Sequence, residues 1–284
     1  MTTDEQERQR WREALAEDPT DPTDSTDPAD GGHSSPPGRC DQEPPWRWRT
    51  LVENLAPMAD RVLDLGTGGG EVLAALADVL PEGSVATEGR TATLALARAR
   101  LAPLGIEVLE HGPDTGALLP VGDGGFGLVL CHHEPFDATE ISRVLAPGGT
   151  FLTQQVGGDD GQEIRALFGH DAPRPRASLE DTVHALTVAG LTVERADAFH
   201  GRCEIDDVPT LLRALRRAPW GAPEGLDVGR HRDVLEHLHA RLRTGPFSAT
   251  VSRYLVQASI PEPARTGRTD FSQLLDEHPA VPRV

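Results

Sequence analysis

Apolar and polar positions change period several times along the chain, and each change predicts an element. Val62 to Leu65 is a short apolar run that stops in glycines, as a buried strand does. After Gly66, Gly68 and Gly70 a helical pattern runs from Val72 to Leu80. The same succession recurs downstream: a strand over Ser84–Glu88, a helix over Thr91–Leu104, then a strand over Glu107–Glu110. A turn from Leu119 to Gly125 leads into a fourth strand ending at Cys131, followed by a helix over Ala138–Leu145 and a strand over Thr150–Val156. Strand and helix in alternation predict an α/β fold with a doubly wound sheet. Upstream, Trp48, Leu51, Val52 and Leu55 recur at helical spacing and predict an amphipathic helix leading into the first strand.

The last third has a different rhythm. Short helices are expected over Gln162–Phe168 and Leu179–Ala189, then two long strands over Thr192–Ile205 and Phe247–Ile260. Between those strands lies a helical excursion, Pro209–Arg217 and Val228–Arg243. The resulting division is an N-terminal tail over 1–45, a domain over 46–260 with an excursion at 206–246 that shapes the substrate site, and a C-terminal tail over 261–284. In the first tail, Gln6–Ala16 is at most a polar helix, and the Asp-Pro-Thr repeat after it offers too little apolar surface to order itself.

Composition narrows the classes of function. A chain of 284 residues with 38% hydrophobic content buries one good core. A net charge of −18 repels phosphates, which disfavours nucleic acid and anionic lipid as partners. No apolar run is long enough to span a bilayer, and no leader pattern opens the chain. Cys40, Cys131 and Cys203 lack metal-site spacing and cannot all pair with one another, so a reduced cytoplasm is the expected compartment.

The candidate chemistry begins at the first strand's exit. A strand that ends in glycines and restarts as a helix brings backbone N–H groups against an anionic ligand group. The spacing here is Gly66-x-Gly68-x-Gly70, and Glu71 stands where a dinucleotide fingerprint has its third glycine, which argues against NAD. Glu88 ends the second strand, where nucleotide-binding α/β folds place the acid that accepts ribose hydroxyls. Asp114, in the loop after the third strand, is either an adenine contact or a solvated turn residue.

Four blocks now resemble one family in order and spacing: Val62-Leu63-Asp64-Leu65-Gly66-Thr67-Gly68-Gly69-Gly70, Glu88, Leu119-Pro120 through Phe126, and Arg143-Val144-Leu145-Ala146-Pro147-Gly148-Gly149-Thr150-Phe151-Leu152. Together they look like class I S-adenosylmethionine-dependent methyltransferases, over roughly residues 46–260. The resemblance implies a Rossmann-like sheet of seven strands, mostly parallel with a C-terminal antiparallel pair. It implies S-adenosyl-L-methionine as cofactor, with Asp64, Gly66, Thr67, Gly68 and Gly70 in its cradle, Glu88 on the ribose and Asp114 near the adenine. Two departures bear on the adenine contacts: Asp114 lies one residue too far upstream of the Leu-Pro turn, and Phe126-Gly127 replaces the usual Phe-Asp.

In such enzymes the end of the fourth strand often touches substrate, and here it carries His132-His133-Glu134. Imidazole titrates near neutrality, so His133 is the expected proton acceptor, with Glu134 orienting it. Side chains adjacent on an extended segment point apart, so only one of the two histidines is expected to face the pocket. A metal pair is disfavoured for want of a third ligand. Gln154 and Gln155 end the fifth strand and either touch substrate or satisfy loop backbone. Arg213, Arg216, Arg217 and Trp220 stand in the excursion, on a solvated face or toward an anionic substrate. The expected activity is methyl transfer to a small molecule. The alternatives are an RNA base methyltransferase or a non-catalytic sensor of the cofactor, and the oligomeric state is open.

Overall fold

The computed structural model describes residues 3–16, 38–40, 42–112, 118–169, 178–217 and 222–262. Its sheet has eight strands: β1 (Arg39–Cys40), β2 (Val62–Leu65), β3 (Val85–Glu88), β4 (Glu107–Glu110), β5 (Phe126–His132), β6 (Leu145–Val156), β7 (Thr192–Ile205) and β8 (Phe247–Ser259). Their order is β1-β7-β8-β6-β5-β2-β3-β4. From β4 to β6 neighbours are parallel; β8 runs antiparallel to β6, and β7 antiparallel to β8. The order reverses between β2 and β5, so their C-terminal ends form the crevice in which open α/β sheets bind ligands.

The extra strand corrects the expected seven. β1 is a two-residue edge that pairs antiparallel with β7, too short to leave a period in the sequence.

Alternation sends neighbouring residues to opposite faces. Leu63, Val129, Cys131 and Phe151 pack with Ile141 and Val144 of α5 (Ala138–Val144) and Leu186 of α7 (Leu179–Val188). Val62, Leu128, Leu130, Leu152 and Leu255 face Trp48 and Val52 of α2 (Trp48–Leu55) on the other side. The helix expected over Val72–Leu80 is instead a single α-turn, α3 (Glu71–Ala74), and a 3-10 turn at Ala77–Val79. Leu73 enters the core beneath α4 (Thr91–Leu101) while Leu76 joins the core around α2, two directions that one straight helix does not serve.

The N-terminal tail is corrected in two places. Thr3–Ala16 forms α1, and Trp11, 1% exposed, is buried with Ala14 against Leu211, Leu215, Leu235, Leu238 and Phe247. These partners come from α8 (Val208–Arg217), α9 (Arg232–Leu242) and the distal end of β8. The excursion presents an apolar helix face that the sheet alone does not cover, and α1 supplies the cover. Its composition looks polar because only Trp11, Ala14 and the half-buried Leu15 do the packing. Arg216 donates to the Leu15 carbonyl and Arg8 pairs with Glu236 at 3.0 Å. Trp11→Ala is therefore expected to lower stability by about 3–5 kcal/mol. Urea titration checks it, and an unchanged midpoint would detach α1 from the fold.

The second correction is at Cys40, which sits opposite Cys203 in the β1–β7 register and is disulfide-bonded to it. Their separation of 163 residues hid the pairing from any spacing rule. Cysteine usage consequently no longer points to a reducing compartment. Among the described residues no helix is long and apolar enough to cross a membrane.

Candidate functional site

The glycine turn is built as a cradle. Gly66, Gly68 and Gly70 have φ of 66°, 62° and 81°, the left-handed region that only glycine enters without strain. At Gly66 a Cβ would also come within 2.5 Å of the Glu134 side chain, so nothing larger fits. The end of β3 holds this loop in place. Thr67 N–H donates to the Thr87 carbonyl at 2.8 Å and Gly66 N–H to the Thr87 hydroxyl at 3.2 Å. Gly68 N–H donates to Glu88 Oε2 at 2.8 Å, while Arg90 N–H donates to Oε1 at 2.7 Å. Glu88, 3% exposed, thus ties the loop to the next strand. Thr87 shares this work and left no signal in the sequence beyond its place beside Glu88.

Asp64 ends buried below the loop. Burial pushes its carboxyl from the ordinary 3.8 up to about 7, the nearby Thr67 side chain offsets part of that rise, and the charge of Glu88 adds to it. The Thr67 hydroxyl is itself buried and has no hydrogen-bond partner of normal geometry. The Asp64 and Glu88 carboxylates beside a bare glycine turn fit a polar, positively charged ligand portion, as S-adenosylmethionine has. The exits of β3 and β4 meet beside this cradle, where a Cβ on Gly89 would lie 2.5 Å from the Gly112 Cα. Asp114 lies outside the described residues, and so does Trp220.

At the end of β5 one of the two histidines, His133, faces a cavity, as expected at the strand's exit, but the two rings do not point apart. His133 has φ of 64°, and among the described residues no other non-glycine residue has a positive φ. That turn folds its ring onto His132, with centroids 4.0 Å apart and planes 29° apart. His132 in turn stacks on Trp48 at 4.5 Å and 16°. Gln154 spans the edges of both imidazoles: its Nε2 lies 2.9 Å from His132 Nε2 and 3.1 Å from His133 Nε2, and its Oε1 accepts from Trp46 Nε1 at 2.7 Å. A left-handed non-glycine residue costs on the order of 1–3 kcal/mol, which two ring stacks and these hydrogen bonds offset. The group at His133 Nε2 is thus the Gln154 amide, where the sequence suggested Glu134 as the orienting partner.

Glu134 instead leans over Gly66 and also lines a cavity of about 230 Å³ with His133, Phe136, Gln155, Val156 and Tyr254. The Tyr254 hydroxyl is bonded to Thr182 of α7 at 3.0 Å. Gln155 does what a loop-satisfying residue does: its amide donates to the Glu134 carbonyl at 2.9 Å and to Thr153 Oγ1 at 2.9 Å. The cradle and the cavity therefore share one carboxylate. Asp64, Gly66, Thr67, Gly68 and Glu88 come together on one side of Glu134, and His133 on the other, while Gly70 caps α3 against Leu101.

Trp46 and Trp48 are buried in the core beside the site, and Gln154, which the sequence left undecided, reaches Trp46 and both histidines. Arg213 reaches Thr210 and Arg216 reaches α1, while the side chain of Arg217 lies outside the described residues. Among the described residues no group of three or more histidine, cysteine, aspartate or glutamate side chains is placed to hold a metal ion.

Comparison with known proteins agrees with this fold. Residues 63–153 match the family model described as a methyltransferase domain. A solved candidate methyltransferase from Bacillus halodurans C-125 is similar in fold, with TM-score 0.53, 20% identity, and cover of 75% of this chain and 96% of that one. The YcgJ protein of Bacillus subtilis is similar with TM-score 0.53 and 17% identity, over 75% of this chain and 98% of the other. A candidate sarcosine dimethylglycine methyltransferase from Galdieria sulphuraria gives TM-score 0.50 and 15% identity, over 75% and 83%. Identities this low speak for the fold. No curated protein matches the sequence.

Proposed function

We propose that this chain, whose residues 63–153 match a methyltransferase domain, is a class I S-adenosylmethionine-dependent methyltransferase that methylates a small molecule seated in the cavity beside Glu134. The observation that carries this reading is the shared carboxylate: Glu134 lies over the cofactor's glycine cradle and lines a cavity of about 230 Å³. A space of that size takes a small acceptor or one end of a larger one, and its walls at Phe136, Val156 and Tyr254 favour an apolar body. The net charge of −18 disfavours an RNA acceptor.

Asp64, the Gly66–Gly70 turn, the Thr67 hydroxyl and Glu88 hold S-adenosylmethionine in this reading. When bound, the cofactor supplies a methyl group already activated by its sulfonium. The protein's own work is alignment of the acceptor and removal of its proton where the nucleophile carries one. Glu134 is the proton acceptor, because the His133 Nε2 lone pair is already engaged by Gln154. Incubation with methyl-labelled cofactor and fractionated cell extract tests the proposal. Label is expected in a low-molecular-mass product. Tight cofactor binding with no transfer to any fraction would support a sensor, and label in RNA would overturn the small-molecule acceptor.

A further inference from the structure

Trp46, Gln154, His132 and His133 form a hydrogen-bonded unit whose proton positions follow from counting donors. An indole N–H only donates, so the Gln154 oxygen faces Trp46, at 2.7 Å. The amide NH2 must then face the imidazoles, and it has two hydrogens for the two Nε2 atoms at 2.9 and 3.1 Å. It accepts nothing. Each Nε2 therefore presents a lone pair, and a neutral imidazole of that kind carries its proton on Nδ1. Protonating either Nε2 would set N–H against N–H and place a charge beside a second ring 4.0 Å away.

We propose that Gln154 is a positioning residue of the methyl-transfer site: turned by Trp46, it locks His132 and His133 as neutral imidazoles protonated on Nδ1, fixing His133 as an uncharged wall of the acceptor cavity. The proposal rests on the reading of that cavity as the acceptor site. It explains why a glutamine on β6, an indole ahead of α2 and a left-handed histidine after β5 converge on one point. Among the described residues that line the cavity with His133, the carboxylates are Glu134, next in the chain, and Asp181 of α7, which is also held by Ser178. Both carboxylates favour a protonated ring, and the amide opposes them. Trp46, Trp48 and Gln154 bring no charge. The lock also separates roles, since a carboxylate beside a neutral histidine pair keeps its own proton affinity for the acceptor.

Long-range proton–nitrogen NMR spectra of the full chain with labelled histidine test this without any substrate. In the wild type both rings are expected in the Nδ1–H tautomer at pH 8, with midpoints of titration below the ordinary histidine value. Gln154→Leu should let Nε2–H signals emerge and raise both midpoints. Gln154→Glu, which replaces the donor by an acceptor, should raise them further. Trp46→Phe keeps an aromatic ring but frees the amide to rotate, and should give a mixture of tautomers. In Gln154→Leu kcat should fall on the order of tenfold with cofactor affinity unchanged, as misplacement of a wall requires. An Nε2–H tautomer on either wild-type ring, or unchanged tautomers in folded Gln154→Leu, would overturn the lock. Should Gln154→Leu fail to fold, Trp46→Phe decides by the same spectra, with unchanged tautomers overturning the proposal. Locked tautomers in a protein that transfers no methyl group would sink the acceptor-site reading and the positioning role together, while leaving the hydrogen-bond assignment standing.

Discussion

Glu134→Gln is expected to lower kcat by about 10²–10⁴-fold, the range for loss of a positioned proton acceptor. The amide keeps the volume of the carboxylate, so the contact with Gly66 and the shape of the cavity survive. Its backbone carbonyl stays held by Gln155 and accepts from the Cys131 thiol at 3.0 Å, so the loop does not move. What changes is charge and basicity alone. Cofactor affinity, read by calorimetry, should fall far less than kcat. A parallel fall in both would instead make Glu134 a cofactor ligand, with catalysis resting on alignment. His133→Ala provides the contrast: with its Nε2 engaged by Gln154, its loss should cost kcat less than Glu134→Gln does. A larger loss in His133→Ala would restore the role that the sequence first suggested for it.

Glu88→Ala is expected to weaken S-adenosylmethionine binding by about 1–3 kcal/mol, roughly 5–150-fold. Its carboxylate is buried and accepts from Gly68 and Arg90, and in the proposed reading it meets the ribose hydroxyls. The same substitution removes a negative charge beside Asp64, so the Asp64 carboxyl should titrate lower than about 7. Asp64 gives this site a pH dependence of known sign. Its folded-state value lies above the ordinary 3.8, so between those pH values the folded protein holds a proton that the unfolded chain has released. Stability therefore falls as pH rises from about 4 to about 7, by an amount of order 1–4 kcal/mol once Asp64 is ionised. Binding of a cation has the opposite slope, since it favours ionised Asp64. Calorimetry between pH 6 and 8 should show tighter cofactor binding at the higher pH, a trend that Asp64→Asn abolishes. The same variant should be more stable than the wild type at pH 8. Binding that does not respond to pH would remove Asp64 from the cationic end of the site.

The sequence by itself determined the doubly wound sheet, the long C-terminal strand pair and the glycine cradle with Glu88. These are local: a strand's period, a helix's spacing and a run of glycines are written within a few residues. β7 matches the run Thr192–Ile205 end to end because its alternation of exposed and half-buried side chains is carried by that stretch alone. Only the tertiary structure decided what depends on partners distant in the chain. Trp11 reads as a lone aromatic in a polar helix until α8 and α9 present the face that buries it. Cys40 and Cys203 become partners only through the β1–β7 register. The histidine pair depends on a backbone angle at His133 that no propensity favours, held by Gln154 from β6 and Trp48 from α2. An extended segment was the correct local expectation there, and it failed because long-range stacking and hydrogen bonding outweighed a local preference worth on the order of 1–3 kcal/mol.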